Sequence, residues 1–290
     1  MKKPLFTGVC TALVTPFEGG RVSIPMLEQL LARQLEAGVR SVVICGTTGE
    51  APTLSDDEKL LLFRHAKAFG GDELQVLAGT GSNDTRHAVF LSRAAEEMGA
   101  DGLLVVTPYY NKTTPEGLYA HYSAIASAVH IPVVAYNVPS RTGVDIPVSV
   151  YARLAQLPGI VGVKEASPDV TKAGRILAAC SRDFCLWSGN DDMAVPMMAL
   201  GGLGVISVVS NVVPAETAAM CRAALDGDFD TAADLHTRLL PLMEAMFREV
   251  NPIPVKAAMG MLGYDCGPCR LPLTAPSPET LARLRELVKS

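Results

Sequence analysis

Eight short apolar runs recur along the chain, each followed by a longer stretch whose apolar positions fall three and four apart. The runs are Gly8–Val14, Ser41–Cys45, Gln75–Gly79, Gly102–Val106, Val133–Tyr136, Ile160–Lys164, Phe184–Trp187 and Gly204–Val208. Most are nearly continuous Val, Ile, Leu and Ala, the pattern of parallel strands buried on both faces. The intervening stretches carry helix-start signals. Ser55-Asp56-Asp57-Glu58 predicts a capping box, and Thr114-Pro115-Glu116 places an N-cap before a proline at the first helical position. Leu27, Leu30, Leu31 and Leu35 form one apolar face that Gly38 ends. About eight βα units at this spacing predict an α/β fold, a closed (β/α)8 or TIM barrel in preference to an open sheet. No G-x-G-x-x-G follows the first run, which lowers a dinucleotide-binding reading. Beyond about residue 225 the strands stop. Helices are expected over Asp228–Val250 and Val255–Leu262, with a last one opened by Ser277-Pro278-Glu279. The chain thus reads as a barrel over 1–225 and a C-terminal helical extension over 226–290.

Two segments imitate membrane elements. Lys2-Lys3 with the apolar residues after them resembles a signal peptide, but Pro4, Thr7, Gly8 and Thr11 interrupt it and no A-x-A pattern follows. Met193 to Ala215 is uncharged and nominally long enough to span a bilayer. Pro196, Gly201, Gly202, Gly204, Ser207, Ser210 and Asn211 divide it, predicting a short helix, a turn and a buried strand. No membrane association is expected.

Composition narrows the partners. The 290 residues are 49% hydrophobic and 19% charged, with a net charge of −5. No long basic run is present, so nucleic acid and acidic lipid are poor partners. The seven cysteines are odd in number and scattered through apolar segments, as in reduced cytoplasmic proteins. Cys266-Gly267-Pro268-Cys269 has redox-pair spacing, yet its flanks read as loop, where a thioredoxin-type motif opens a helix. The five histidines show no metal-ligand spacing, so no metal site is expected.

In such a barrel the working residues lie at the C-terminal ends of the strands. Those ends supply Thr47-Thr48, Thr80, Thr107 with Tyr109-Tyr110, Tyr136-Asn137, Lys164-Glu165, Ser188-Gly189-Asn190 and Ser207. The set is rich in hydroxyls and holds one lysine. A lysine closing a buried strand is desolvated, which favours its neutral, nucleophilic amine. Pairing with Glu165 at the rim is the plainer alternative, although neighbours on a strand point to opposite faces. Tyr136 is either a core residue with a satisfied hydroxyl or a proton shuttle beside that lysine. Gly46-Thr47-Thr48-Gly49-Glu50 is a tight turn whose hydroxyls and N–H groups can hold a carboxylate. Arg141 either faces solvent or grips a second carboxylate bidentately.

Thr11–Phe17 (TALVTPF), Gly46–Glu50, Pro108–Asn111, Tyr136–Gly143 (YNVPSRTG), Val163–Ser167 (VKEAS) and Asn251–Lys256 (NPIPVK) then resemble, in order, the dihydrodipicolinate synthase family. That family sits among the pyruvate-dependent class I aldolases and N-acetylneuraminate lyases, and the likeness spans essentially the whole chain. It implies condensation of pyruvate with L-aspartate 4-semialdehyde on the route to diaminopimelate and lysine, through a covalent imine on Lys164 and no cofactor. By resemblance Thr47, Tyr110 and Tyr136 relay protons, with Tyr110 reaching a neighbouring subunit's site. Thr48 binds the pyruvate carboxylate, Gly189 and Ile206 line the pocket, and Arg141 holds the semialdehyde carboxylate. A homotetramer built as a dimer of dimers is implied as well.

One region departs from the lysine-inhibited members. Their allosteric pocket uses a serine, a histidine and a glutamate where this chain has Ala51, Lys59 and His87, while Asn83 and Tyr109 are kept. Without the glutamate no fixed negative charge awaits the amine of lysine, so feedback is expected to be weak or absent. The rivals are a sister aldolase acting on a sialic acid or keto-deoxy sugar acid, and a barrel that binds a keto acid without turnover.

Overall fold

The computed structural model describes residues 4–288; Lys2 and Lys3 of the leader-like stretch lie outside them. Eight parallel strands close into a barrel: β1 Gly8–Ala12, β2 Ser41–Ile44, β3 Gln75–Gly79, β4 Gly102–Val106, β5 Val133–Asn137, β6 Ile160–Glu165, β7 Cys185–Ser188 and β8 Gly204–Ser207. Each pairs with its successor, and β1 returns to β8 with Gly8 opposite Gly204 and Thr11 opposite Ser207. That closure demands a glycine. Gly204 has φ +146°, and a Cβ there would lie 1.9 Å from the Gly8 carbonyl oxygen.

The anticipated helix starts are present. Ser55 Oγ accepts from Glu58 N at 3.2 Å while Glu58 Oε2 accepts from Ser55 N at 2.9 Å, completing the capping box. Thr114 caps the helix Pro115–Ala126 by accepting from Gly117 N at 3.1 Å. Leu27, Leu30 and Leu31 are buried on the helix Ile24–Glu36. The uncharged stretch resolves into a helix Ala194–Ala199, a turn and β8. Among the described residues no helix is long and apolar enough to cross a membrane.

The apolar residues form two cores. One lies between strands and helices and contains Leu31, Phe63, Tyr122 and Ile176. The other fills the barrel with Phe6, Cys10, Leu77, Val134, Tyr136, Trp187 and Ile206, and Phe6 stacks on Trp187 at 4.6 Å. An open channel is therefore excluded, and chemistry is confined to the rim.

Three helices follow the last βα unit: Phe229–Ala245, Ile253–Met261 and Pro278–Val288. The first ends five residues before the expected Val250. Beyond Ala245 the helical bonds give way to tighter ones, from Phe247 N to the Glu244 carbonyl and from Arg248 N to the Ala245 carbonyl, and Phe247 and Val250, which carry the apolar pattern onward, are left exposed. The resulting irregular segment runs across the mouth of the barrel.

Candidate active site

Tyr136 and Lys164 occupy paired positions on β5 and β6. Equal register on neighbouring strands turns both side chains to the same face, here the barrel interior. Lys164 is 5% exposed and its Nζ lies 4.2 Å from the centroid of the Tyr136 ring. The next pair, Asn137 and Glu165, faces outward. Asn137 Nδ2 donates to Glu165 Oε1 at 2.9 Å, Tyr151 OH to Oε2 at 3.0 Å and Ser167 N to Oε1 at 2.8 Å, while Lys172 Nζ sits 3.7 Å away. Glu165 thus belongs to a second buried network, and no ion pair joins it to Lys164 among the described residues. This network pins the ends of β5 and β6 and so fixes the spacing of Tyr136 and Lys164.

The loop after β2 turns at Gly46: Gly49 N and Ala51 N donate to the Gly46 carbonyl at 3.1 and 3.4 Å. Glu50 adopts a left-handed conformation, φ 56°, although it is not glycine. Compensation comes from far along the chain. Lys256 Nζ lies 2.9 Å from Glu50 Oε1, both side chains being almost fully buried, and Arg270 N donates to Oε2 at 2.8 Å. Thr48 is buried, and its Oγ1 accepts from Asn251 Nδ2 at 3.0 Å. Asn251 Oδ1 is buried without a partner among the described residues, a costly state for an amide.

Lys164, Tyr136, Thr47, Thr48, Arg141 and Gly189 all line one cavity of about 490 Å³, together with Asn251. A pocket of this size suits a small substrate. Gly189 is placed by close packing: its N donates to the Glu165 carbonyl at 2.7 Å, and a Cβ there would meet Ala166 Cβ at 2.5 Å. Arg141, on the single turn Pro139–Thr142, is exposed, with NH2 3.5 Å from the Asn251 carbonyl. Two expected members stand apart. Ile206 is fully buried in the barrel interior and does not line this cavity. Tyr110 is 91% exposed, with φ 67°, and does not line this chain's own Lys164 pocket.

A second cavity of about 660 Å³ shares Thr47, Tyr136, Val138 and Arg141 with the first. Ala51, Lys59, His87 and Tyr109 line it, whereas Asn83 does not. His87 Nε2 lies 2.9 Å from Asp56 Oδ2, and Lys59 Nζ lies 3.4 Å from Asp56 Oδ1. Burial opposes the charge on Asp56, but hydrogen bonding and charge from His87, with Lys59, hold its carboxyl below the usual range. The one carboxylate of this trio is thereby already engaged.

Two buried residues at the mouth escape sequence inspection. Asp191, at the turn after β7, accepts from Val208 N and Val209 N, each at 2.9 Å. Burial pushes its carboxyl up, against those N–H groups and the charge of Lys164. It lies one residue beyond Asn190, where the strand-end reading stopped. Asn251 was visible only as part of a motif. The loop at Cys266 and Cys269 carries no helix, and burial pushes both free thiols up to about 11.

A buried lysine beside a tyrosine at the mouth of a filled barrel, facing a hydroxyl-bearing turn, is the kind of site that class I aldolase-type lyases carry. Comparison with known proteins specifies the group. Residues 5–290 match the model of the dihydrodipicolinate synthetase family. The chain is 46% identical over 289 residues to a 4-hydroxy-tetrahydrodipicolinate synthase of Acetivibrio thermocellus, covering 100% of this chain and 98% of the relative. The crystal structure of the dihydrodipicolinate synthase of Thermotoga maritima superposes with a TM-score of 0.96 at 43% identity, covering 98% of each chain. The lysine-bound enzyme of Cyanidioschyzon merolae gives a TM-score of 0.96 at 41% identity, over 99% of this chain and 98% of that one. The chain belongs to the dihydrodipicolinate synthetase family.

Proposed function

We propose that this lyase condenses pyruvate with L-aspartate 4-semialdehyde through a covalent imine on Lys164. The observation that carries the reading is the Lys164 amine held 4.2 Å from the Tyr136 ring in the wall of a small cavity. The amine adds to the ketone carbon of pyruvate, and loss of water leaves an iminium. That cation accepts electrons as a methyl proton departs, giving an enamine. The enamine carbon attacks the aldehyde, whose oxygen takes up a proton. The amine of the second substrate then closes the ring at the imine carbon and displaces Lys164. Tyr136 carries protons to and from these oxygens, relayed by Thr47 and by Tyr110 of a second copy. Thr48 receives the pyruvate carboxylate beside Gly189, and Arg141 receives that of the semialdehyde. Ile206 acts from beneath, as part of the barrel packing.

The exposure of Tyr110 favours an assembly in which a second copy covers it, and a homotetramer is the expected state. We read the second cavity as a degenerate lysine site, with Ala51, Lys59, His87 and Tyr109 in its wall, Asn83 outside it, and Asp56 occupied by His87 and Lys59. Free cysteines agree with a cytoplasmic protein. Borohydride reduction in the presence of pyruvate, followed by mass spectrometry, tests the central claim. An adduct on Lys164 is expected, and an unmodified Lys164 removes the mechanism. Rates with a panel of aldehydes then test the acceptor, and inactivity with aspartate semialdehyde would favour a sister aldolase.

A further inference from the structure

Thr48 Oγ1 has one proton to give and one hydrogen bond already received, from Asn251 Nδ2 at 3.0 Å. Thr48 is 2% exposed, and its hydroxyl makes no other hydrogen bond among the described residues. With the amide of Asn251 on one lone pair, the hydroxyl proton is left to point elsewhere, and the cavity shared with Lys164 is where an acceptor can enter. The donor itself is buried. Asn251 is 4% exposed, and its carbonyl oxygen takes the 3.5 Å contact from Arg141. Five residues on, Lys256 anchors the same loop through Glu50 at 2.9 Å. The segment from Asn251 to Lys256 thus grips the Gly46–Glu50 turn at two points.

We propose that Asn251 is a positioning residue for the reaction: its carboxamide fixes the Thr48 hydroxyl as a donor toward the carboxylate of the keto acid. This rests on the function proposed above. Chemically, the device sets the direction of a single proton. A bare hydroxyl rotates freely and offers donor and acceptor faces alike, whereas one receiving an N–H presents its own O–H to an anion. The backbone carbonyl of Asn251 meanwhile steadies the guanidinium of Arg141, so one residue serves both carboxylate-binding groups.

The test uses the full chain with Asn251→Asp, Thr48→Val and the double variant, measuring KM and kcat for pyruvate and thermal melting. The introduced carboxylate keeps the shape of the side chain but can only accept, so it draws the Thr48 proton away from the substrate. Asn251→Asp is expected to raise the pyruvate KM about tenfold, with a smaller change in kcat, and to melt cooperatively at a temperature lowered by burial of the carboxylate. In the Thr48→Val background it should add little, because the two residues act as a unit. An unchanged pyruvate KM, or effects that add fully, overturns the proposal. Should Asn251→Asp fail to melt cooperatively, Asn251→Leu, which is similar in shape and lacks the donor, takes its place with the same two outcomes. Borohydride trapping of pyruvate on the wild type separates the two levels. No adduct on Lys164 removes the underlying reaction, whereas an adduct with an unaltered Asn251→Asp KM removes only the role of Asn251.

Discussion

Tyr136 and Lys164 face the barrel interior from paired positions on adjacent strands, with the lysine amine 4.2 Å from the phenol ring centroid. Neither approach depends on a mobile loop. The two groups are fixed by the sheet itself and by the outward-facing Asn137–Glu165 hydrogen bonds directly beyond them.

Separation of covalent chemistry from proton transfer follows. Lys164→Met should abolish both turnover and borohydride-trapped adduct. Tyr136→Phe should lower kcat by about 10²–10⁴-fold while a pyruvate adduct still forms on Lys164. Steady-state rates and intact-mass spectra on the same samples check this. A Tyr136→Phe enzyme with near-normal kcat contradicts the proton-carrying role.

The buried pair Lys256–Glu50 should be costly to break from one side. In Lys256→Met the Glu50 carboxylate keeps the N–H of Arg270 but loses its countercharge. Unfolding in urea should show a loss of about 3–5 kcal/mol. Activity should also fall, since Glu50 ends the turn that carries Thr47 and Thr48. A loss below about 1 kcal/mol would class the pair with exposed ion pairs.

Acid should expose the Glu58–Arg270 pair. The hydrogen bond from Arg270 holds the Glu58 carboxyl below its ordinary 4.5, outweighing partial burial. A depressed folded-state value means stabilisation that is full above pH 4.5 and disappears as pH falls through the lower, folded value. Glu58→Gln keeps the capping box. Its melting temperature should therefore trail the wild type near neutrality, with the gap closing as pH drops below 4.5. A gap independent of pH contradicts the linkage.

Lysine should be a poor inhibitor. Its side-chain amine needs an uncommitted carboxylate, and Asp56 already meets His87 at 2.9 Å and Lys59 at 3.4 Å. Initial rates at millimolar lysine should match those without it. Strong inhibition would show that this trio rearranges around the ligand.

The barrel was readable because strands buried on both faces announce themselves as unbroken apolar runs, and all eight fall within two residues of expectation. Strand-end position likewise brought out Lys164, Tyr136, Thr47 and Thr48, since the geometry of a barrel converts a place in the sequence into a place at the rim. Asp191 was missed because its significance lies in two N–H groups of the following strand end, at Val208 and Val209. Asn251 reaches Thr48 across 203 residues and Lys256 reaches Glu50 across 206, separations that no local periodicity records. The helix predicted to Val250 overran because Phe247 and Val250 prolong the apolar pattern without being buried. Its apolar pattern continues, but the chain must leave the helix to bring Asn251 to the mouth.

The grip of Asn251 and Lys256 on the Gly46–Glu50 turn has a consequence for how the enzyme comes into being. A nascent chain that has emerged as far as residue 225 holds every barrel strand, and Lys164 with them. It still lacks the partners of Thr48 and Glu50, which lie beyond residue 250. Chains are synthesised from the N-terminus and their early parts begin to fold first. The barrel strands are therefore made before the residues that hold the Thr48 hydroxyl and the Glu50 turn beside the Lys164 amine.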